Sequence, residues 1–134
     1  MKSSIGIDIV YFIRIEKIFY KYGLRFARRI LSKYEIKHLP KKKYIITYIA
    51  KCFASKEALS KALGSGFRKN MRLPDISLYK NHLGKPNFYI SGKTKNFCFI
   101  KNIKNFDLTI TDENQYILCI VSIKYNINVI DKNY

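Results

Sequence analysis

Apolar and polar positions alternate strictly at the start of the chain. In "SIGIDIV", residues 4–10, Ile5, Ile7 and Ile9 point to one face and Gly6, Asp8 and Val10 to the other. This pattern predicts a β-strand with one acid on an otherwise small or apolar face. A helix is expected over 11–22, closed by Gly23 as a left-handed cap, with Arg14, Lys17 and Lys21 on one side. "LRFARRIL", 24–31, continues as a short basic helix. Ser32 followed by Glu35 is a capping-box signature for a turn that reaches about Leu39, where Pro40 stops it. After the solvated loop "KKK", 41–43, a long helix is predicted over 44–63, with Ile49, Phe53, Ala54 and Ala58 on its buried side and Gly64 ending it.

The second half turns to strands. "DISLYK", 75–80, and "NFYI", 87–90, flank "NHLGKP", whose Gly84 and Pro86 make a hairpin. A short helix is expected near 92–101. "FDLTIT" and "YILCIVSIKY" are β-rich runs joined by "DENQ", a second hairpin. No repeat or linker divides the chain, and 134 residues suit a single α+β domain over 1–134, with little reason for order in residues 131–134.

Charge changes the picture. With 26 Lys and Arg against 9 Asp and Glu, the net charge is +17, which attracts nucleic acid, membrane surfaces, phosphorylated metabolites or an acidic protein. A large part of that excess reads as a solvated basic surface. Cys52, Cys98 and Cys119 are widely spaced with no C-x-x-C pair, which supports neither a disulfide framework nor a zinc site and fits a reducing cytosol. "YILCIVSI", 116–123, is shorter than the roughly 20 apolar residues that span a bilayer. No leader pattern opens the chain, so a soluble cytoplasmic protein is expected. A small RNA-binding module is the alternative reading, since 11 Tyr and 9 Phe could stack on bases, but no strand motif of that class is present.

Candidate chemistry concentrates in "KCFASKEALSKALGSG", 51–66. Glu57 and Lys61 are one helical turn apart and leave the same face. An exposed ion pair between them is the plain alternative, worth about 0.3–0.5 kcal/mol. Phe53, Ala54 and Ala58 place this face near the core, where an idle charge is costly. The helix then enters Gly64, Ser65 and Gly66, whose amides and hydroxyl could face a phosphate or simply end the helix. Asp8, the lone strand acid, could join Glu57 in a Mg²⁺ site, which often takes one or two carboxylates and leaves the rest to water and phosphate. Alternatively Asp8 caps the next helix or pairs with an arginine.

Taken together, "GIDIV", "RIE" at 14–16, "FARRILS" at 26–32, "AKCFASKEALSKALGSG" and "LGKP" resemble, in order and spacing, the holo-acyl carrier protein synthase family of phosphopantetheinyl transferases. The resemblance runs from about residue 4 to 123. It implies an α+β fold with a long central helix on an antiparallel sheet. It also implies transfer of the 4'-phosphopantetheine group of coenzyme A to a serine of acyl carrier protein, with release of adenosine 3',5'-bisphosphate. On that resemblance Asp8 and Glu57 would be Mg²⁺ ligands and, with Lys61, the catalytic set. Coenzyme A would meet Lys61, Gly64, Ser65, Gly66, Lys85 and Thr111, and the acidic carrier would dock on Arg14, Lys21, Arg25 and Arg28. Relatives are commonly trimers with the active site at the subunit interface. The chain departs from them at Thr109-Ile110-Thr111-Asp112-Glu113, where many have S-x-S-H: Asp112 replaces the histidine, whose role is therefore not transferred.

Overall fold

The computed structural model describes residues 1–64 and 70–127; the expectations for Ser65, Gly66 and residues 131–134 lie outside the described residues. β1 (Lys2–Tyr11) leads directly into α1 (Phe12–Tyr22), then α2 (Leu24–Ile30) and the short α3 (Lys33–Lys37). A 3-10 turn over Lys42–Tyr44, spanning the end of the expected loop and the first residue of the expected helix, opens α4 (Ile45–Leu63). A second such turn, Leu73–Asp75, precedes β2 (Ile76–Lys80) and β3 (Pro86–Ile90). α5 (Gly92–Ile100), β4 (Ile103–Glu113) and β5 (Tyr116–Tyr125) complete the order. The strands form an antiparallel sheet β1-β5-β4 and the separate hairpin β2-β3.

Local signals explain most boundaries. Ser32 and Glu35 form the expected capping box, with the Glu35 amide donating to Ser32 Oγ at 3.1 Å and the Ser32 amide to Glu35 Oε1 at 2.8 Å. Gly64 adopts the left-handed conformation, φ 74° and ψ 4°, and its amide donates to the Ser60 and Lys61 carbonyls. Gly23 differs from expectation: φ is 58° but ψ is −141°, so this glycine turns the chain sharply between two helices rather than forming a left-handed cap.

The core gathers where α4 lies across β1 and β5. Ile49, Ala54, Ala58 and Leu59 of α4 are fully buried with Cys119 and Val121 of β5; Phe53 is only partly buried. Small residues permit the approach. A Cβ on Gly6 would press into the Ala58 carbonyl oxygen and lie 2.5 Å from the Ala62 nitrogen, so β1 touches the helix backbone itself. The strand's other face is open: Ile5, Ile7 and Ile9 are 69%, 50% and 58% exposed. Ile120 and Leu118 stand opposite Ile7 and Ile9, and Tyr116 opposite Tyr11, which makes an apolar face with no helix over it among the described residues.

Gly6→Ala tests the contact. Overpacking against rigid backbone is expected to cost about 3 kcal/mol or more, read as a lower urea midpoint at unchanged m. A stability equal to that of the parent protein would mean that α4 is free to back away.

Candidate active site

Two elements bring the chemistry together. Gly6 seats α4 on β1, and Asp8, two residues further along the same face, then meets the last turns of the helix. Lys61 Nζ donates to Asp8 Oδ1 at 3.0 Å and to the Ile7 carbonyl at 3.0 Å. The Asp8 side chain is mostly buried and that of Lys61 about half exposed. Lys61 is therefore paired with Asp8, and among the described residues no ion pair joins it to Glu57, which sets aside the simple helix-surface pair. Nor does Asp8 cap α1, whose N-terminus has no side-chain cap.

Glu57 stands in the same charge cluster. Burial pushes its carboxyl above the usual range, the neighbouring Asp8 charge pushes it further, and Lys61 and Arg14 oppose both. The Asp8 charge raises the proton affinity of Glu57 beside a lysine, an electronegative arrangement suited to a hard cation. No cluster of three His, Cys, Asp or Glu side chains exists among the described residues, so protein atoms alone would leave such a cation's shell open. Asp8 also acts through the sheet: burial, with Asp8's charge second, pushes the Cys119 thiol up to about 12.

Other expected residues lie elsewhere in the chain. Gly64 ends the helix one turn beyond Lys61. Thr111 pairs with Leu118, which pairs with Ile9, so Thr111 belongs to the exposed apolar face, opposite Asp8. Lys85 Nζ reaches Asp107 Oδ1 at 3.0 Å. Asp107 lies in the row of Ser122 and Ile5, again on the open face. The "LGKP" turn borders a cleft of about 500 Å³ lined by Tyr34, His38, Tyr44, Lys51, Gly84 and Pro86. Asp112, at the departure from the common pattern, pairs with Lys51 of α4 at 3.2 Å. Arg14, Lys21, Arg25 and Arg28 are exposed on α1 and α2 with no ion-pair partner among the described residues.

Sequence reasoning missed one charged pair altogether. Lys56 and Glu35 are fully buried and joined to each other, with Lys56 Nζ also donating to the Ile30 carbonyl at 2.6 Å. The available signal was position: Ile49, Cys52, Lys56 and Leu59 fall at helical spacing on one stripe, so Lys56 interrupts an apolar face.

Comparison with known proteins agrees with this geometry. The family model for the 4'-phosphopantetheinyl transferase superfamily matches residues 4–121. The holo-[acyl-carrier-protein] synthase of Wigglesworthia glossinidia brevipalpis is 41% identical over 119 residues, covering 84% of this chain and 85% of the relative. Among solved structures, the holo-[acyl-carrier-protein] synthase of Neisseria meningitidis superposes with a TM-score of 0.86 at 34% identity, over 90% of this chain and 97% of that one. That of Helicobacter pylori, solved with coenzyme A, gives 0.77 at 32% identity, over 90% and 99%. With the match covering nearly the whole chain, this chain belongs to the 4'-phosphopantetheinyl transferase superfamily, among the holo-[acyl-carrier-protein] synthases.

Proposed function

We propose that this chain transfers the 4'-phosphopantetheine group of coenzyme A to a serine of apo acyl carrier protein, and that Asp8, Glu57 and Lys61 handle the diphosphate where the bond breaks. The observation that carries the reading is the meeting of Asp8 and Lys61 beside Glu57 in a chain of this family. In the reaction the serine oxygen bonds to the phosphorus that bears pantetheine. The bond from that phosphorus to the bridging oxygen breaks, adenosine 3',5'-bisphosphate leaves with the electron pair, and the serine proton passes to a base or to water.

The donor set fits Mg²⁺: two carboxylates in one charge cluster, with no group of three acidic, histidine or cysteine ligands among the described residues. Bound there, Mg²⁺ would supply charge neutralisation for the diphosphate. Lys61 adds a mobile cation. Among the described residues only Asp8 and the Ile7 carbonyl meet its ammonium, so one of three N–H groups is left for a phosphate oxygen, where charge grows as the bond breaks. Gly64 ends α4 in the left-handed conformation one turn beyond Lys61, and contact of Gly64, Ser65 and Gly66 with the same phosphates belongs to this reading.

An acidic carrier suits the α1–α2 surface. Arg14, Lys21, Arg25 and Arg28 are exposed there with no salt bridge among the described residues, and a cleft of about 350 Å³ lined by Ile18, Tyr22, Arg25, Phe26 and Arg29 offers apolar contact between the cations. Such charges chiefly speed encounter and orient the partner. The exposed Ile5-Ile7-Ile9 face supports self-association as a homotrimer. Thr111 and Lys85 lie on that open side, away from Asp8 of the same chain, which supports a reading in which a neighbour's copies reach coenzyme A in an interfacial site. Three unpaired cysteines and the absence, among the described residues, of any helix long and apolar enough to cross a membrane suit work in the cytoplasm. The RNA-binding alternative has no motif to set against the family match.

Incubation of the protein with coenzyme A, Mg²⁺ and apo acyl carrier protein is expected to add one phosphopantetheine to the carrier, read by intact mass. No mass gain across metal and salt conditions would remove the assignment. Glu57→Gln is expected to lower turnover by at least about a hundredfold, the range seen when one group that stabilises transition-state charge is lost. In metal-free protein the same change removes an ionised carboxyl held above its usual range. Tm should therefore rise at neutral pH, and the gain should vanish as pH falls below about 4, where Glu57 and its unfolded counterpart are both protonated. Ile7→Glu is expected to convert the assembly to monomers in light scattering and to cut activity with it; a monomeric parent protein would refute the interfacial reading.

A further inference from the structure

One charged pair has no part in the chemistry above. Lys56 and Glu35 are both 0% exposed, and every polar atom of the pair is engaged. Lys56 Nζ meets Glu35 Oε1 and the carbonyl of Ile30, the last residue of α2. Glu35 Oε1 also accepts from the Ser32 amide, and Oε2 accepts from the Leu78 amide of β2 at 2.9 Å. Ser77 Oγ donates to Ser32 Oγ at 2.7 Å and closes the cluster. One ammonium and one carboxylate thus tie α2, α3 and β2 to α4 at the residue immediately before Glu57.

We propose that Lys56 and Glu35 are positioning residues for Glu57, forming one jaw of a clamp on α4 whose other jaw is the Gly6 contact. The inference rests on the functional reading of Glu57 given above. Lys56 and Glu57 are adjacent, about 100° apart around the helix, so anchoring the first fixes the direction of the second. Gly6 holds the sheet side through Ala58 and Ala62, while Lys56 holds the side facing α2 and α3. Between them the helix can neither slide along β1 nor rotate without leaving a buried charge unpaired, a heavy penalty in this environment. An apolar core alone would resist rotation less, because a greasy stripe accepts neighbouring registers that a hydrogen-bonded ion pair does not. Catalysis needs this, since a displacement near 1 Å in a catalytic group costs on the order of a hundredfold in rate.

Removing one partner alone risks unfolding, so the test uses Lys56→Met/Glu35→Gln, which deletes both charges and keeps an amide oxygen for the Ser32 or Leu78 amide. The first measurement is hydrogen exchange of the substrate-free protein. Amides of residues 53–61 are expected to exchange at least about tenfold faster while those of β4 and β5 keep their rates, the mark of local loosening. The second is kcat with coenzyme A and apo carrier per folded molecule, well below the melting transition; a fall of at least about tenfold, on the scale of a misplaced catalytic group, is expected. A purely structural pair would leave kcat per folded molecule at the parent value or speed exchange evenly throughout, and either result overturns the proposal. Failure of the functional reading looks different: the parent protein itself would then transfer nothing, whatever the exchange pattern shows.

Discussion

The contact between Gly6 and the backbone of α4 is the constraint on which the arrangement of this protein rests. A strand that touches a helix with no side chain between them has one register available, because any slip drives a Cβ into a carbonyl. Once that register is set, the alternation of β1 brings Asp8 to the same face two residues later, against Lys61. The site is thus a by-product of packing: a small residue in a strand and two alanines in a helix determine where an acid and a lysine meet.

Charged residues serve three distinct ends in this chain, decided by burial rather than by residue type. Lys56 and Glu35 are wholly enclosed, and each finds several hydrogen-bond partners, which is the condition under which an ion pair can sit in a core. Asp8 is mostly enclosed and Lys61 about half exposed, so the acid is held while the lysine can still reach outward. Lys85–Asp107 and Lys51–Asp112 are open to solvent and contribute little to stability.

Much of this was readable from local pattern. The alternation over 4–10, the capping box at Ser32 and Glu35, the glycine at 64 and the two hairpins all report interactions between residues a few positions apart. The Asp8–Lys61 bond spans 53 positions and the Glu35–Lys56 bond 21, and neither leaves a local periodicity. Residue chemistry offered Asp8 and Glu57 as a metal pair beside other roles for Asp8, and only the family resemblance chose between them. Glu35 was correctly read as a cap, yet its carboxylate does more: it also serves α4 and β2, a second duty invisible to any window of four residues. The exposed isoleucine face misleads in the other way, because alternation marks two faces without saying which one water sees.

The placing of the acids has a further consequence. Of the nine, Asp8, Glu35, Asp107 and Asp112 are in ion pairs, Asp75 holds the first turn of α5 through Thr94, and Glu57 lies within the charge field of Asp8, Lys61 and Arg14. Few remain to offset the surface lysines and arginines. A polyanion brought near such a surface sheds condensed counterions whatever its sequence, so this protein will cling to DNA or RNA in dilute buffer and let go as salt rises. Adhesion of that kind reports the scarcity of acids on the outside, and says nothing about the reaction inside.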